Sequence, residues 1–145
     1  MTKTLEEILA IGIRAELEAI EAYSKLAEQI QEPLLQDRFN ALAKDEDRHR
    51  IILEGLYNEN FPGKPMSIPE KSGVPKIHPI ISQENTVTEI LKLAMDAEKL
   101  AEDYYKELAE QFEDNEKKDL LNYLANIEGG HYYFLKLEYD MAMKN

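Results

Sequence analysis

Two Glu-x-x-His tetrads, Glu46-Asp47-Arg48-His49 and Glu128-Gly129-Gly130-His131, stand 82 residues apart. On a helix, residues three apart share a face, so carboxylate and imidazole can turn toward one point. Oxygen and nitrogen donors in that arrangement suit a divalent cation of the iron or manganese type. A single tetrad of this kind is ordinarily a solvated surface pair. Here two of them interrupt apolar stripes at the same phase: Leu42 precedes and Leu53 follows the first, Leu124 and Leu135 the second. Two further glutamates obey the same offset, Glu16 between Gly12 and Ala19 and Glu98 between Ala94 and Ala101.

The offset belongs to the whole chain. Residues 4–57 and 86–139 align without a gap, with 20 identities in 54. Thr4-Leu5-Glu6-Glu7 and Thr86-Val87-Thr88-Glu89 both read as capping boxes. Apolar and small residues then recur at helical spacing, at Leu5, Ile8, Leu9, Gly12, Ala15, Ala19, Tyr23 and Leu26 in the first case. Pro33 suits the first turn of a second helix, where its missing N–H has no partner to lose. The third helix is expected over 90–112 and the fourth over 120–141. Five of the six prolines crowd into 58–82, which therefore reads as a connection. No segment alternates with period two, so no strand is expected. The chain reads as a duplicated helical hairpin, about 3–57 and about 86–142, in a single domain of residues 1–145. Each hairpin alone leaves an apolar stripe exposed, so the expected fold is an all-α four-helix bundle with one long crossover.

Simple geometry sets the six candidate ligands at one height. Glu16 lies 16 residues before a turn near Glu32 and Glu46 lies 14 after it. At 1.5 Å rise these are ~24 and ~21 Å from the turn. The second hairpin, turning near Asp114, repeats the count for Glu98 and Glu128. A buried, uncompensated carboxylate costs several kcal/mol, and four also repel one another. No Lys or Arg occupies the facing stripe positions. Two divalent cations would balance four glutamates.

Composition narrows the chemistry further. The 145 residues include no cysteine, which excludes disulfides, thiolate-held clusters and thiol catalysis. With 17 Lys+Arg against 29 Asp+Glu the net charge is −12, which argues against nucleic acid and anionic membrane surfaces as partners. No apolar run is long enough to span a bilayer, and the N-terminus has no secretory pattern, so a cytoplasmic location is expected.

The pattern resembles the rubrerythrin branch of the ferritin-like superfamily. The resemblance rests on Glu16, Ala19 and Tyr23, on the same spacing at Glu98, Ala101 and Tyr105, and on the two Glu-x-x-His tetrads. It implies a ferritin-like bundle binding two iron ions, with manganese or a mixed pair as the alternative. It also implies that Glu46 and Glu128 bridge the metals, while Glu16, Glu98, His49 and His131 are terminal ligands. Family members react with hydrogen peroxide or dioxygen, cycling iron between ferrous and ferric. Two departures stand out. Rubrerythrins proper carry a rubredoxin with four cysteines, so this chain would take electrons from an external donor such as a separate rubredoxin. They also place an extra glutamate where Ala101 stands, and the remaining symmetric set resembles a bacterioferritin-type ferroxidase centre equally well. A metal-stabilised bundle without turnover is the non-catalytic alternative.

Other residues invite plainer readings. Tyr23 and Tyr105 share the ligand face, ~10 Å along the axis, and read as core aromatics before redox relays. His78 reads as a loop residue outside the site. Gly129 and Gly130 cost a helix interior ~2 kcal/mol together, which close packing or a local bulge would explain. The acid runs Glu6-Glu7 and Glu113-Asp114 read as solvated faces. Apolar residues off the main stripe, such as Ile11, Ile13 and Ile51, suggest a homodimer.

Overall fold

Thr4 starts the first helix by accepting a hydrogen bond from the Glu7 amide at 3.2 Å, while its own hydroxyl reaches Glu7 Oε1 at 3.1 Å. Thr86 starts the third in the same way, and there the box is reciprocal, with the Thr86 amide donating to Glu89 Oε1. The structure, a computed structural model, describes residues 4–73 and 86–144. It contains α1 (Leu5–Gln29), α2 (Pro33–Asn60), α3 (Val87–Glu110) and α4 (Asn115–Lys144). Among the described residues there is no strand, and no helix is long and apolar enough to cross a membrane.

Several helix ends differ from expectation. Pro33 stands in the first turn of α2 as foreseen, with Glu32 capping the amides of Leu34 and Leu35. The end of α2, however, runs to Asn60, past the expected start of the connection. The fourth helix starts at Asn115, five residues before the first leucine of its apolar run. Asp114 accounts for this, because its side chain accepts from the Glu116 amide at 3.0 Å and its carbonyl from the Lys118 amide at 3.1 Å.

The chain falls into two compact units, residues 1–73 and 74–145, each built on one helical hairpin. In the first, α1 lies against α2. Its buried residues include Leu9, Ile13 and Leu26 of α1 and Phe39, Leu42 and Leu53 of α2. Tyr23 is buried as well, its ring stacked on Phe39 at a centroid distance of 5.8 Å. In the second unit α3 lies against α4, with Leu91, Ala94, Tyr105, Leu121, Leu124 and Leu135 buried. The Tyr105 ring meets Tyr104 edge-on. Ile13 is fully buried, which corrects its assignment to an outward face. A helix that curls its apolar stripe around a partner covers more of its circumference than a narrow seam. Ile51 does face outward, at 55 % exposure.

The first unit carries more than its two helices. Residues 61–73 return along α1, where Arg14 Nε donates to the Pro69 carbonyl at 2.6 Å. One turn further on, the Ser72 amide and hydroxyl both donate to the Glu18 carboxylate, which is buried. Lys64 pairs with Glu6 at 2.6 Å, and the Tyr57 hydroxyl lies 3.3 Å from the Pro65 carbonyl. Glu6 is thus an anchor for the connection and not the solvated acid its sequence suggests. Gly63 and Gly73 take φ of 75° and 76°, the left-handed region open to glycine. Residues 74–85 of the expected crossover, with His78, lie outside the described residues.

Candidate metal centre

Glu16 comes from the middle of α1, and Glu46 and His49 from the middle of α2. Helical spacing turns all three inward with the apolar stripe, and none is more than 3 % exposed. His49 Nδ1 stands 3.7 Å from Glu16 Oε1 and 3.6 Å from Glu46 Oε2. The second unit repeats the constellation. His131 Nδ1 of α4 stands 3.5 Å from Glu98 Oε2 of α3 and 3.9 Å from Glu128 Oε1. Each unit therefore holds a buried cluster of two carboxylates and one imidazole, whose ligand atoms lie within 4.8 Å of one another. All six residues foreseen from the repeat are found in these two clusters.

The donor set and its spacing fit a metal ion. Donors ~2.1 Å from a shared ion stand ~3 Å apart when adjacent and ~4 Å apart when opposite. The observed separations fall in that interval, and they exceed an ordinary hydrogen bond. Carboxylate oxygen with imidazole nitrogen suits iron or manganese, and the chain has no thiolate to favour softer metals. Two ionised glutamates also balance one divalent cation in each cluster.

Electrostatics of the first cluster show what the metal-free protein must bear. Burial pushes the Glu16 carboxyl well above the usual range, and the neighbouring Glu46 carboxylate adds to the effect. Burial alone would lower the His49 imidazole, but Glu16 and Glu46 outweigh it and raise the group to about 9. Protons on this imidazole and carboxyl therefore offset in part the charge that a cation would balance.

Two carboxylates escaped the sequence reading. Glu18 is buried against Ser72, and Glu102 of α3 occupies space beside Gly129 of α4. In both cases the repeat itself is broken. Glu18 corresponds to Leu100, and Glu102 to Ile20. A departure from the duplication was the available signal.

Known proteins resemble this chain over most of its length. The family described as Rubrerythrin matches residues 7–139. A hypothetical protein from Pyrococcus furiosus is 37 % identical, with 97 % of this chain and 91 % of that one covered and a TM-score of 0.86. A ferritin-like diiron-carboxylate protein, so described, from Thermotoga maritima is 21 % identical over 97 % of both chains, with a TM-score of 0.77. An uncharacterised conserved protein from Magnetospirillum magnetotacticum is 23 % identical, covering 96 % of this chain and 95 % of that one, with a TM-score of 0.71. Among curated proteins there is no match. The fold is the ferritin-like four-helix bundle, built here from two duplicated hairpins.

Proposed function

Because the chain belongs to the rubrerythrin family, we propose that it is a di-iron carboxylate oxidoreductase that reacts with hydrogen peroxide or dioxygen. The observation that carries this reading is the repetition of one buried Glu2His cluster in both units. Glu16, Glu46 and His49 would hold metal in the first, and Glu98, Glu128 and His131 in the second. By the family resemblance Glu46 and Glu128 would be the ligands shared between the two ions. Bound iron would supply reversible one-electron chemistry between its ferrous and ferric forms.

The residues themselves do three things. The four glutamates supply the negative charge that would neutralise two divalent cations. His49, buried and between two carboxylates, must release its proton to become a ligand. The apolar stripes above and below the clusters, Leu42 and Leu53 in one unit and Leu124 and Leu135 in the other, keep bulk water from the donors. Electrons would arrive from a separate protein such as rubredoxin, since this chain has no cysteine to hold a redox centre of that kind.

Elemental analysis of protein purified without added metal tests the cofactor, and iron is expected over manganese. Reduced protein should then consume hydrogen peroxide at a rate lost in Glu46→Ala and Glu128→Ala. Unchanged consumption in both variants overturns the proposal. Faster oxidation of added ferrous iron by dioxygen than by peroxide would identify a ferroxidase instead. Ala101, in place of the extra rubrerythrin glutamate, favours that second reading.

A further inference from the structure

Glu102 fills a space that belongs to another residue. A Cβ placed on Gly129 would collide with Oε2 of Glu102 and stand 3.1 Å from its Cδ. The carboxylate thus lies in the side-chain slot that glycine leaves open on α4, immediately after the candidate ligand Glu128. Side chains on a helix lean toward its N-terminus, so Glu102 leans back toward the level of Glu98, one turn earlier.

The first hairpin has no such arrangement. Its equivalent positions carry Ile20 and Asp47, so glutamate and glycine have replaced them together. That exchange puts Gly129 in a helix interior at a cost of ~1 kcal/mol relative to Ala, for which packing by a small residue alone gives no return. The second cluster is also the more accessible one: the His131 side chain is 10 % exposed and that of His49 is 2 % exposed. Lys99 holds Oε1 of Glu102 at 2.7 Å, and Lys106 stands 3.7 Å from Oε2, the oxygen in the slot. Both lysines are half-exposed, and pairs of that kind hold weakly, so the carboxylate can follow them outward.

We propose that Glu102 is a side-chain gate beside the second cluster, whose outward rotation opens the Gly129 slot to a small uncharged oxidant. Closed, it fills the slot next to Glu128 in the chain. Open, it leaves a passage of side-chain width between α3 and α4. The inference rests on the proposed function, since it presumes that a metal in this cluster meets an oxidant. Size, and not charge, is what the gate controls.

The test is the rate at which nitric oxide, a neutral diatomic probe, binds the iron(II)-loaded protein, followed by its visible absorption. Glu102→Ala, with Glu102→Ser as a second shortened form should the first not fold, is expected to bind at least about fivefold faster, because its slot stands open at all times and not only when the carboxylate swings out. Glu102→Gln, equal in size, should stay within about twofold of the native protein, and Ile20→Ala, the counterpart in the first hairpin, should not differ. An unchanged rate in the shortened variants overturns the gate, as does equal acceleration in Glu102→Gln or Ile20→Ala. A native protein that binds no iron(II) overturns the proposed function and the gate with it. One that binds iron with equal rates in all variants overturns the gate alone.

Discussion

His49 and Glu46 are three residues apart on α2, and their facing atoms, Nδ1 and Oε2, stand 3.6 Å from each other with both side chains buried. A buried carboxylate this close holds a proton on the imidazole, and Glu16 on α1 does the same from the other side. The pair is therefore a proton store when no metal is bound.

Metal-free protein should lose stability as pH rises. The His49 group is raised from 6.5 to about 9, so its contribution is complete below 6.5 and disappears as pH climbs through about 9. The raised Glu16 carboxyl acts in the same direction, since its ionised form is the one that folding disfavours. Melting of the chelator-treated protein should occur on the order of 5 °C lower at pH 9 than at pH 6. Metal affinity should move the opposite way and rise with pH, because binding expels these protons. Thermal scans of the chelator-treated protein would register the first trend, and titration calorimetry with metal at several pH values the second.

Glu16→Gln separates stability from function. Burial beside Glu46 makes folding protonate the Glu16 carboxyl, a cost that a neutral amide does not carry, so near neutral pH the metal-free variant should melt at a higher temperature than the native protein, by a few degrees for ~1 kcal/mol. The same change removes a ligand, and metal affinity should fall by about 10–100-fold or more. A thermal scan with and without added iron(II) checks both; a metal-free variant that melts lower refutes the account of the cluster.

Glu18→Ala should loosen the connection without touching the metal. The buried carboxylate accepts from both the amide and the hydroxyl of Ser72, and losing it strands those donors at a cost of about 1–3 kcal/mol. Limited proteolysis should then cut within 61–73 sooner than in the native chain, while metal content stays the same.

Gly130→Ala should stabilise the protein. A Cβ there meets nothing within 4 Å, and alanine in a helix interior is worth about 0.5–1 kcal/mol over glycine. Gly129→Ala should gain less, because its methyl must displace the Glu102 carboxylate. The difference in melting temperature between the two variants measures that displacement.

The six candidate ligands were legible because they obey two periodicities at once, 3.6 residues within each helix and 82 between the halves. An acid on an apolar stripe is costly, and the same costly choice made twice has a physical cause. Helix starts at Thr4 and Thr86 were legible for a similar reason, since capping is local chemistry. The true start of α4 was masked because Asp114 and Asn115 precede the apolar run by a full turn. Glu18 and Ser72 are 54 residues apart, and Glu102 and Gly129 meet across a hairpin. Contacts of that kind are set by packing between elements, which no single window of sequence contains.

Each half of this chain is charge-matched to a single divalent ion, and that has a historical consequence. An ancestor with one hairpin per chain would have had to serve both sides of its assembly with identical residues, so any feature useful on one side was imposed on the other. Fusion of two copies lifts that constraint. Both halves carry the same candidate ligands, while Arg14 and Glu18 tether a connection in the first and Glu102 faces a glycine in the second. With six side chains held in common and their surroundings different, each half can be tuned without altering the other.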